Sequence, residues 1–397
     1  MSWSSHKLGE YCEVIAGQSP EGKYYNDSGD GLPFYQGKKE FGDRYIGAPQ
    51  KWTTKVTKEA KAGDILMSVR APVGPINFST EHICIGRGLA AIRPSDKLDR
   101  DFLFYYLLSK QDEIQGSEGA VFASINKSQI ESLSLLYVGL EDQKRIVAIL
   151  DQAFADIDKA RALTEQNLKN ARELFESYLQ QVFSQRGEGW VIEPLGNLVT
   201  NDCTLSYGIV QPGNDFVDGL HVVRPTDLTK EVIGLSGLKR IDPSKAEGYT
   251  RTMLQGGELL LCVRGSTGTT SIASENLAGA NVTRGIVPIR FNPEKVSQRF
   301  GYYQFSSPLI QAQIKAGTYG AALMQINIRD LRKIEVAVPP LSVQSELVNK
   351  LDSVKPDLLK VEALYLSKLD AFDQLKKSLL QKAFSGELTN SSAEAAA

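Results

Sequence analysis

The sequence is poor in the residues that metal and redox chemistry require. Its 397 residues include four cysteines and three histidines. Cys12, Cys84, Cys203 and Cys262 lie far apart, so no CxxC pair is present, and no histidine belongs to an HExxH segment. Zinc ribbons, redox dithiols and zinc proteases depend on those spacings. We therefore expect no metal site and four free, reduced cysteines.

A long apolar run and an excess of positive charge are also missing. No stretch approaches the roughly 18 apolar residues of a bilayer-spanning helix, and the first ten residues lack the apolar core of a secretory signal. We expect a cytoplasmic protein without a membrane segment. The 45 Lys and Arg residues are balanced by 47 Asp and Glu residues, for a net charge of −2. Contact with nucleic acid would therefore need local basic patches.

One segment imitates a nucleotide-binding loop. Gly17–Lys23 matches the first seven positions of a P-loop, but the eighth, which should supply a Ser or Thr hydroxyl to Mg²⁺, is Tyr24. The second half of the chain has no equivalent, and neither a nuclease carboxylate cluster nor a methyltransferase motif is evident. We expect a chance match and no catalysis within this chain.

The two halves of the chain repeat each other. Gly63–Arg70, with the sequence GDILMSVR, is echoed by Gly257–Arg264, with the sequence GELLLCVR. The order of matched segments is kept while their separation grows gradually, as expected if only loops gained length. Further matched pairs are Asp30–Leu32 with Asp218–Leu220, Arg87-Gly88 with Arg284-Gly285, Tyr105-Tyr106 with Tyr302-Tyr303, Ile125-Asn126 with Ile326-Asn327, and Gln143 with Gln344. One module has been duplicated.

Each module combines an α/β part with a long helix. Ile65–Val69 and Leu259–Val263 are short apolar runs typical of buried strands, and Phe102–Leu108 and its counterpart around 302–305 favour short helices with core aromatics. Residues 141–184 contain no Pro or Gly and carry an apolar seam at alternating steps of four and three, which recurs in the second copy and predicts helix pairing. The seam residues are Ile146, Leu150, Ile157, Leu174, Tyr178, Leu347, Leu351, Leu358, Phe372, Leu375 and Leu379.

These patterns predict an α+β fold with an internal pseudo-twofold repeat. Two similar mixed α/β domains, residues 1–140 and 188–340, alternate with helical spacers, residues 141–187 and 341–390. We expect the spacers to form a long antiparallel two-helix coiled coil. A helix over residues 141–184 is about 66 Å long, enough to separate two reading surfaces by the ~34 Å repeat of the DNA major groove.

The ordered, duplicated set of segments resembles the specificity subunit of Type I restriction–modification systems. The segments that carry the resemblance are Gly63–Leu66 with Gly257–Leu260, the helix starts Leu140–Val147 and Leu341–Val348, and the C-terminal stretch Leu379–Leu388. The resemblance covers nearly the whole chain. It implies a non-catalytic subunit whose two target-recognition domains each read half of a bipartite double-stranded DNA target.

The resemblance also implies partners. Two adenine-N6 methyltransferase (modification) subunits would dock on the helices, and motor–nuclease (restriction) subunits would join them. S-adenosylmethionine, ATP and Mg would be bound by those partner subunits and not by this chain.

Because the two modules diverge, we expect different half-sites and an asymmetric target. Shared residues cannot explain two different sequences, so bases should be read by unshared polar side chains, while shared arginines suit phosphate or an internal brace. The unshared candidates are Gln36, Lys38, Lys39, Arg44 and Tyr45 in the first module and Arg224, Thr226, Lys239 and Arg240 in the second. The shared candidates are Arg70 with Arg264 and Arg87 with Arg284, and Ser266 and Thr267 lie in a further Gly-punctuated loop. A solvated basic face without a ligand is the alternative for the Lys and Arg residues as a group.

A second class of function stays open at this point. A coiled-coil scaffold that binds only proteins would have the same seam, and the near-neutral net charge favours it. DNA footprinting distinguishes the two classes, because a scaffold protects no DNA.

Overall fold

The computed structural model describes residues 3–115, 124–320 and 324–387. The chain divides into two compact units, residues 1–165 with 367–397 and residues 166–366. A central helix, Leu140–Ser184, and a C-terminal helix, Leu341–Ser385, contain 45 residues each and contribute one part to each unit. The predicted spacer boundary at residue 390 lies outside the described residues.

The first domain (residues 3–115 and 124–139) is built on two larger sheets. In the five-stranded sheet, Leu32–Tyr35 runs parallel to Ile83–Ile85, while the four-stranded sheet is antiparallel throughout. The four-stranded order is Cys12–Ala16, Leu89–Pro94, Ile65–Ser68 and Ile76–Phe78, and the five-stranded order is Tyr25–Asn26, Trp52–Thr53, Leu32–Tyr35, Ile83–Ile85 and Glu59–Ala60. A ribbon pairs Ser4–Lys7 with Ser134–Tyr137, and the helices are Arg100–Ser109, Gln111–Gln115 and Lys127–Glu131.

The second domain (residues 185–320 and 324–340) repeats this plan. Its Leu220–Val223 strand runs parallel to Asn281–Val282, as the equivalent pair does in the first domain. The four-stranded order is Val232–Ile233, Thr270–Ala273, Leu259–Cys262 and Ile286–Ile289, and the three-stranded order is Lys239–Ile241, Leu220–Val223 and Asn281–Val282. Two ribbons pair Val191–Pro194 with Glu335–Val338 and Thr318–Tyr319 with Gln325–Ile326, and the helices are Gln298–Ser306, Pro308–Ala316 and Ile328–Leu331. The predicted duplication is confirmed.

The short apolar runs form the centre of each domain, as predicted. Ile65–Ser68 and Leu259–Cys262 are inner strands of the four-stranded sheets and are buried at every residue. The helices Arg100–Ser109 and Gln298–Ser306 pack against these sheets with aromatic side chains that are buried: Phe102, Phe104, Tyr105, Tyr106, Phe300, Tyr302, Tyr303 and Phe305. Burying such large apolar surfaces is a major source of domain stability.

The acidic residue before each inner strand braces the turn that precedes it. Asp64 accepts a hydrogen bond from the backbone N–H three residues earlier at 2.7 Å and pairs with Arg93 at 2.7 Å. Glu258 accepts the equivalent backbone hydrogen bond at 2.7 Å and pairs with Arg290 at 2.5 Å. Both carboxylates are almost fully buried, and buried charges require such partners. The repeated Gly-acid pair therefore has a structural role.

A buried glutamine anchors each long helix to its own domain. Gln143 accepts a hydrogen bond from the N–H of Asp99 at 2.7 Å and donates to the carbonyl five residues earlier at 2.8 Å. Gln344 accepts from the N–H of Ser297 and donates to the carbonyl five residues earlier, both at 2.9 Å. Each glutamine thereby ties the first turn of a long helix to the loop that begins a domain helix.

Within each unit the two long helices pack antiparallel, as predicted. In the first unit Arg161 pairs with Asp373 at 2.6 Å, and Asp158, one turn earlier, pairs with Lys376, one turn later, at 2.5 Å. In the second unit, one core joins the end of the central helix to the start of the C-terminal helix: Leu179, Phe183, Leu347 and Leu351. No helix among the described residues has the length and apolar character that a bilayer span requires.

The predicted seam of the central helix is buried or half-buried as far as Thr164 and fails near Leu174, where buried residues at eleven-residue spacing continue it; this corrects part of the prediction. Leu174 is 73% exposed and Leu375 is 45% exposed, so both lie on outer faces. Eleven residues in three turns give about 3.67 residues per turn, whereas the assumed steps of four and three give 3.5 and drift by ~20° per heptad. The buried row is Ile146, Ile157, Leu168 and Leu179. The other predicted seam residues are buried or half-buried: Leu150, Tyr178, Leu347, Leu351, Leu358, Phe372 and Leu379.

Candidate nucleic-acid interface

Four of the predicted residues line one open cleft in the first domain. Gln36 follows the Leu32–Tyr35 strand, and Lys38, Arg70 and Arg87 lie around it on a cleft of about 340 Å³. Its remaining lining residues are Gly37, Ser68, Ala71 and Gly88, so none of the described residues that line it is acidic. The cleft, which we call the first cleft, is basic.

The cations of the first cleft are unpaired among the residues that the structure describes. Lys38, Arg70 and Arg87 are exposed, and across the described ranges their side chains have neither a hydrogen-bond nor an ion-pair partner. An unpaired guanidinium presents a planar fork of donors that matches a phosphate oxygen pair. The first cleft is therefore suited to bind an anion.

Backbone hydrogen bonds hold the loops of the first cleft together. Gly88 N–H donates to the Gln36 carbonyl at 3.0 Å, and Val69 N–H donates to the Gly88 carbonyl at 3.0 Å. A Cβ on Gly88 would lie 2.2 Å from the Gln36 carbonyl oxygen, so only glycine allows this approach. Arg70 forms a β-bridge with Ser124. The arginines thus project from a defined frame.

The second domain holds its shared arginines in the same frame. Val263 N–H donates to the Gly285 carbonyl at 2.8 Å, and Arg264 forms a β-bridge with Gln325. The Cys262 thiol donates to the Arg264 carbonyl at 3.3 Å. In the first domain the hydroxyl of Ser68, two residues before Arg70, donates to the Arg70 carbonyl at 3.2 Å. Among residues 3–115, 124–320 and 324–387, the side chains of Arg264 and Arg284 also have no hydrogen-bond or ion-pair partner. Two free arginines are therefore held alike in both domains.

Arg224, by contrast, has a partner. It lies in the second domain at the position of Gln36 and binds Asp227 through Nη2 at 2.8 Å and Nε at 3.1 Å. The hydrogen bonds from Arg224 to Asp227 raise the pKa of the Arg224 guanidinium. Thr226, between them, is exposed. The charge of Arg224 is thus compensated inside its own loop.

Lys239 and Arg240 also have local partners. Lys239 Nζ donates to the Gly213 carbonyl at 2.6 Å, and Arg240 Nε contacts His221 Nε2 at 3.1 Å. Both line a shallow cleft of about 390 Å³ with Arg224.

The other candidates lie apart from these clefts. Lys39 Nζ donates to Gln50 Oε1 at 2.7 Å. Tyr45 is 50% exposed, with its ring 5.7 Å from that of Phe78. Ser266 and Thr267 line a separate pocket of about 550 Å³.

Arg44 points into its own domain. Its guanidinium binds Asp101 at 2.7 Å and Asp151, on the central helix, at 2.8 Å. The Tyr105 hydroxyl donates to the same Asp151 at 2.6 Å. Sequence reasoning missed this cluster and its counterpart in the second domain. The repeated Tyr-Tyr pair was its only signal, and that pair was interpreted as core.

The segment that resembles a P-loop has a different structure. Gly22–Tyr24 is a single 3₁₀ turn rather than the start of an α-helix, and Lys23 pairs with Glu21 at 2.7 Å. Within the described part of the chain, no three His, Cys, Asp or Glu side chains form a group that could hold a metal ion.

The chain thus carries two similar α/β domains on paired long helices, and among the described residues each domain has two equivalent arginines without a side-chain partner. A model of the Type I restriction modification DNA specificity domain matches residues 2–167 and 230–381. The chain therefore belongs to the family of Type I restriction–modification specificity subunits.

Curated relatives carry the same description. The putative type I restriction enzyme MjaX specificity subunit of Methanocaldococcus jannaschii is 40% identical over 174 residues, covering 43% of this chain and 40% of that protein. The type I restriction enzyme EcoBI specificity subunit of Escherichia coli is 24% identical over 317 residues, covering 74% of this chain and 67% of that protein. The matches thus span about two fifths and two thirds of these relatives.

Solved structures share the fold. A chain from a study of complex assembly and conformational transition of the type I R-M system aligns with a TM-score of 0.74 at 19% identity, over 97% of this chain and 98% of that one. The HsdS subunit from Thermoanaerobacter tengcongensis aligns with a TM-score of 0.51 at 18% identity, over 97% of both chains.

Proposed function

We propose that this chain recognises a bipartite, asymmetric double-stranded DNA target, one half-site per domain, and directs partner adenine-N6 methyltransferase and restriction subunits to it. The observation that supports this most is the pair of free arginines held in one backbone frame in both domains. Residues common to both domains suit what both half-sites share, which is the phosphate backbone. The side chains that differ around them, Gln36 and Lys38 against Arg224 and Thr226, suit different bases.

In this proposal the chain has no catalytic role. Two methyltransferase subunits bind S-adenosylmethionine, and motor–nuclease subunits bind ATP and Mg²⁺. Exposed leucines on the long helices leave apolar side chains available to the partner subunits. These leucines are Leu163, Leu174, Leu359, Leu364 and Leu366.

The first experiment is methylome sequencing of cells that co-express this chain with its methyltransferase partner. We expect adenine methylation at one split, non-palindromic motif. A continuous motif, or none, would contradict the proposal. The alternative scaffold, which the exposed leucines equally suit, predicts no DNA protection in a footprint of the complex.

The second experiment tests the arginines. We expect Arg70→Ala with Arg87→Ala, and separately Arg264→Ala with Arg284→Ala, to reduce the slope of the salt dependence of DNA binding by about two, because each neutralised phosphate contributes ~0.9 to that slope. The methylated motif should stay the same. Arg329→Ala, which removes an 81% exposed side chain outside the clefts, is the control. An unchanged slope, or a change of base at one half-site, would contradict the assignment.

A further inference from the structure

Each domain contains a charged cluster that joins it to a long helix of its own unit. In the first unit, Asp151 of the central helix accepts hydrogen bonds from the Tyr105 hydroxyl at 2.6 Å and from Arg44 Nη1 at 2.8 Å. Arg44 Nη2 also binds Asp101 at 2.7 Å. The Arg44 guanidinium lies 5.1 Å from the centre of the Tyr105 ring. We call these four residues the first clamp.

The second unit has an equivalent cluster on the C-terminal helix. Asp352 accepts hydrogen bonds from the Tyr303 hydroxyl at 2.5 Å and from Arg299 Nη2 at 2.6 Å. Arg299 also pairs with Glu231, which in turn binds Lys355. Tyr303, Asp352, Arg299 and Glu231 form the second clamp.

Backbone register shows that Arg44 and Glu231 occupy the same position. The Arg44 carbonyl accepts from the Phe78 N–H at 2.8 Å, and the Glu231 carbonyl accepts from the Ile272 N–H at 2.7 Å. The next residue then pairs in parallel with that same donor residue, Tyr45 with Phe78 in the first domain and Val232 with Ile272 in the second. The loop position of the clamp is therefore positive in one domain and negative in the other.

At the clamp position on the domain helix the charges are reversed in the other direction, negative in the first domain and positive in the second. Asp101 and Arg299 each lie two residues after the N-cap of the equivalent helix, Asp99 and Ser297 respectively. The signs of both clamp positions have thus been reversed together, while the tyrosine and the aspartate on the long helix are unchanged. Tyr105 and Tyr303 each lie six residues after the N-cap, so the sequence match of Tyr105-Tyr106 with Tyr302-Tyr303 was wrong by one residue. Preservation of the pairing through a double reversal indicates that the contact itself matters, not the residue types.

The phenols of both clamps stay protonated donors. Burial and the hydrogen bond to Asp151 raise the pKa of Tyr105, and burial and Asp352 raise the pKa of Tyr303 in the same way. A charge-assisted hydrogen bond of this kind is short and directional, so it fixes an orientation as well as a contact.

We propose that the two clamps are positioning devices that hold each recognition domain at a fixed angle on its long helix and thereby restrict the target to one spacer length. This rests on the proposed function. One base pair more or less between the half-sites moves a groove by about 3.4 Å and rotates it by about a tenth of a turn. A domain that can tilt on its helix absorbs that change, whereas a clamped domain does not.

The test uses the full chain co-expressed with its methyltransferase partner and a plasmid library in which the spacer of the methylated motif varies by up to two base pairs. In Asp151→Asn and Asp352→Asn we expect the half-site bases to be unchanged. Methylation at spacers one base pair from the native length should rise about tenfold relative to the native spacer, as coupling within one network allows. Asp156→Asn and Asp357→Asn, exposed carboxylates of the same two helices, are matched controls without this effect.

The charge exchange supplies a rescue. Arg44→Glu and Asp101→Arg should each relax spacer selectivity, and the double variant R44E/D101R should restore it, because it recreates the Glu–Arg pair of the second clamp. Tyr105→Phe and Tyr303→Phe remove only a hydroxyl. They should relax spacer selectivity in the same way, and they test the clamps if a charge variant fails to fold. Unchanged spacer selectivity in these variants, or a double variant no better than its parents, overturns the inference. If the unmodified chain directs methylation to no split motif, the proposed function itself fails, which is a separate result.

Discussion

The two domains share a frame but differ in the charges they place on it. In the first cleft, Gln36 and Lys38 stand beside the free arginines, whereas the equivalent loop of the second domain has Arg224, bound to Asp227, and Thr226. In both domains the arginines themselves have no side-chain partner in the described part of the chain. Under the proposed function, duplication kept the parts that any DNA duplex would satisfy and changed the adjacent side chains that suit a particular base sequence.

The largest effects are expected at the equivalent ion pairs of the two domains in which the carboxylate is buried, Asp64 with Arg93 and Glu258 with Arg290. We expect Glu258→Gln and Asp64→Asn each to lower the free energy of unfolding by about 3 kcal/mol, because each breaks an ion pair whose carboxylate is buried. The effects should be similar, since the two pairs occupy equivalent positions. Chemical unfolding followed by circular dichroism measures them.

The same two arginines supply their own controls. Arg93 and Arg290 also pair with the exposed carboxylates of Glu13 and Asp202. Neutralising either exposed acid should cost less than about 1 kcal/mol. If the exposed and buried acids had equal effects, the structural role of the repeated Gly-acid pair would be wrong.

The next largest effect is expected when acid protonates the carboxyls of the second clamp and lowers the stability of the second unit. Burial opposes ionisation of Glu231 and Asp352, but hydrogen bonds from Lys355 and Arg299 outweigh it and hold the pKa of both carboxyls below their ordinary values of 4.5 and 3.8. The Tyr303 hydroxyl also donates to Asp352. A carboxyl with a depressed pKa in the folded state stabilises it above the unfolded pKa and loses this effect as pH falls through the folded pKa.

We therefore expect the stability advantage of the native chain over Glu231→Gln/Asp352→Asn to be full above about pH 5 and to be lost as the pH falls from the ordinary pKa values of 4.5 and 3.8 through the lower folded ones. Unfolding free energies measured from pH 7 to pH 3 test this. A difference that stays constant over that range would show that these carboxyls do not contribute through their charge.

The smallest effect is expected on the outer face of the central helix. Leu174→Ala should change the unfolding free energy of the isolated chain by no more than about 0.5 kcal/mol, since the side chain is 73% exposed. Leu168→Ala, in the buried row, should cost about 2 kcal/mol or more. Equal effects at both positions would instead support the predicted seam with alternating steps of four and three, in which Leu174 is buried.

Much of the fold could be predicted from the sequence because the information is local or repeated. The strands Ile65–Ser68 and Leu259–Cys262, the paired long helices and the duplication all follow from apolar periodicity and from matched segments. The seam was predicted well near the start of the central helix and poorly towards Leu174, because a small error in period accumulates along a helix.

The site was less accessible to sequence reasoning. That Arg70 and Arg87 lie together with Gln36 and Lys38 depends on strand pairing across the sheet, although each residue was a candidate. Arg44 was assigned to DNA contact from its loop, whereas the structure places it against Asp151, 107 residues away in the chain. Residue type cannot distinguish a free cation from a paired one when the partner is so distant.

By itself the sequence determined that this protein is one module written twice, with its apolar runs and helix periodicity setting two domains and two long helices. Only the tertiary structure decided which cations remain free, which acids compensate the others, and how each domain is joined to its helix. The reason is physical: burial and periodicity are encoded by neighbouring residues, whereas the state of a charge depends on the groups that folding brings within a few ångströms of it.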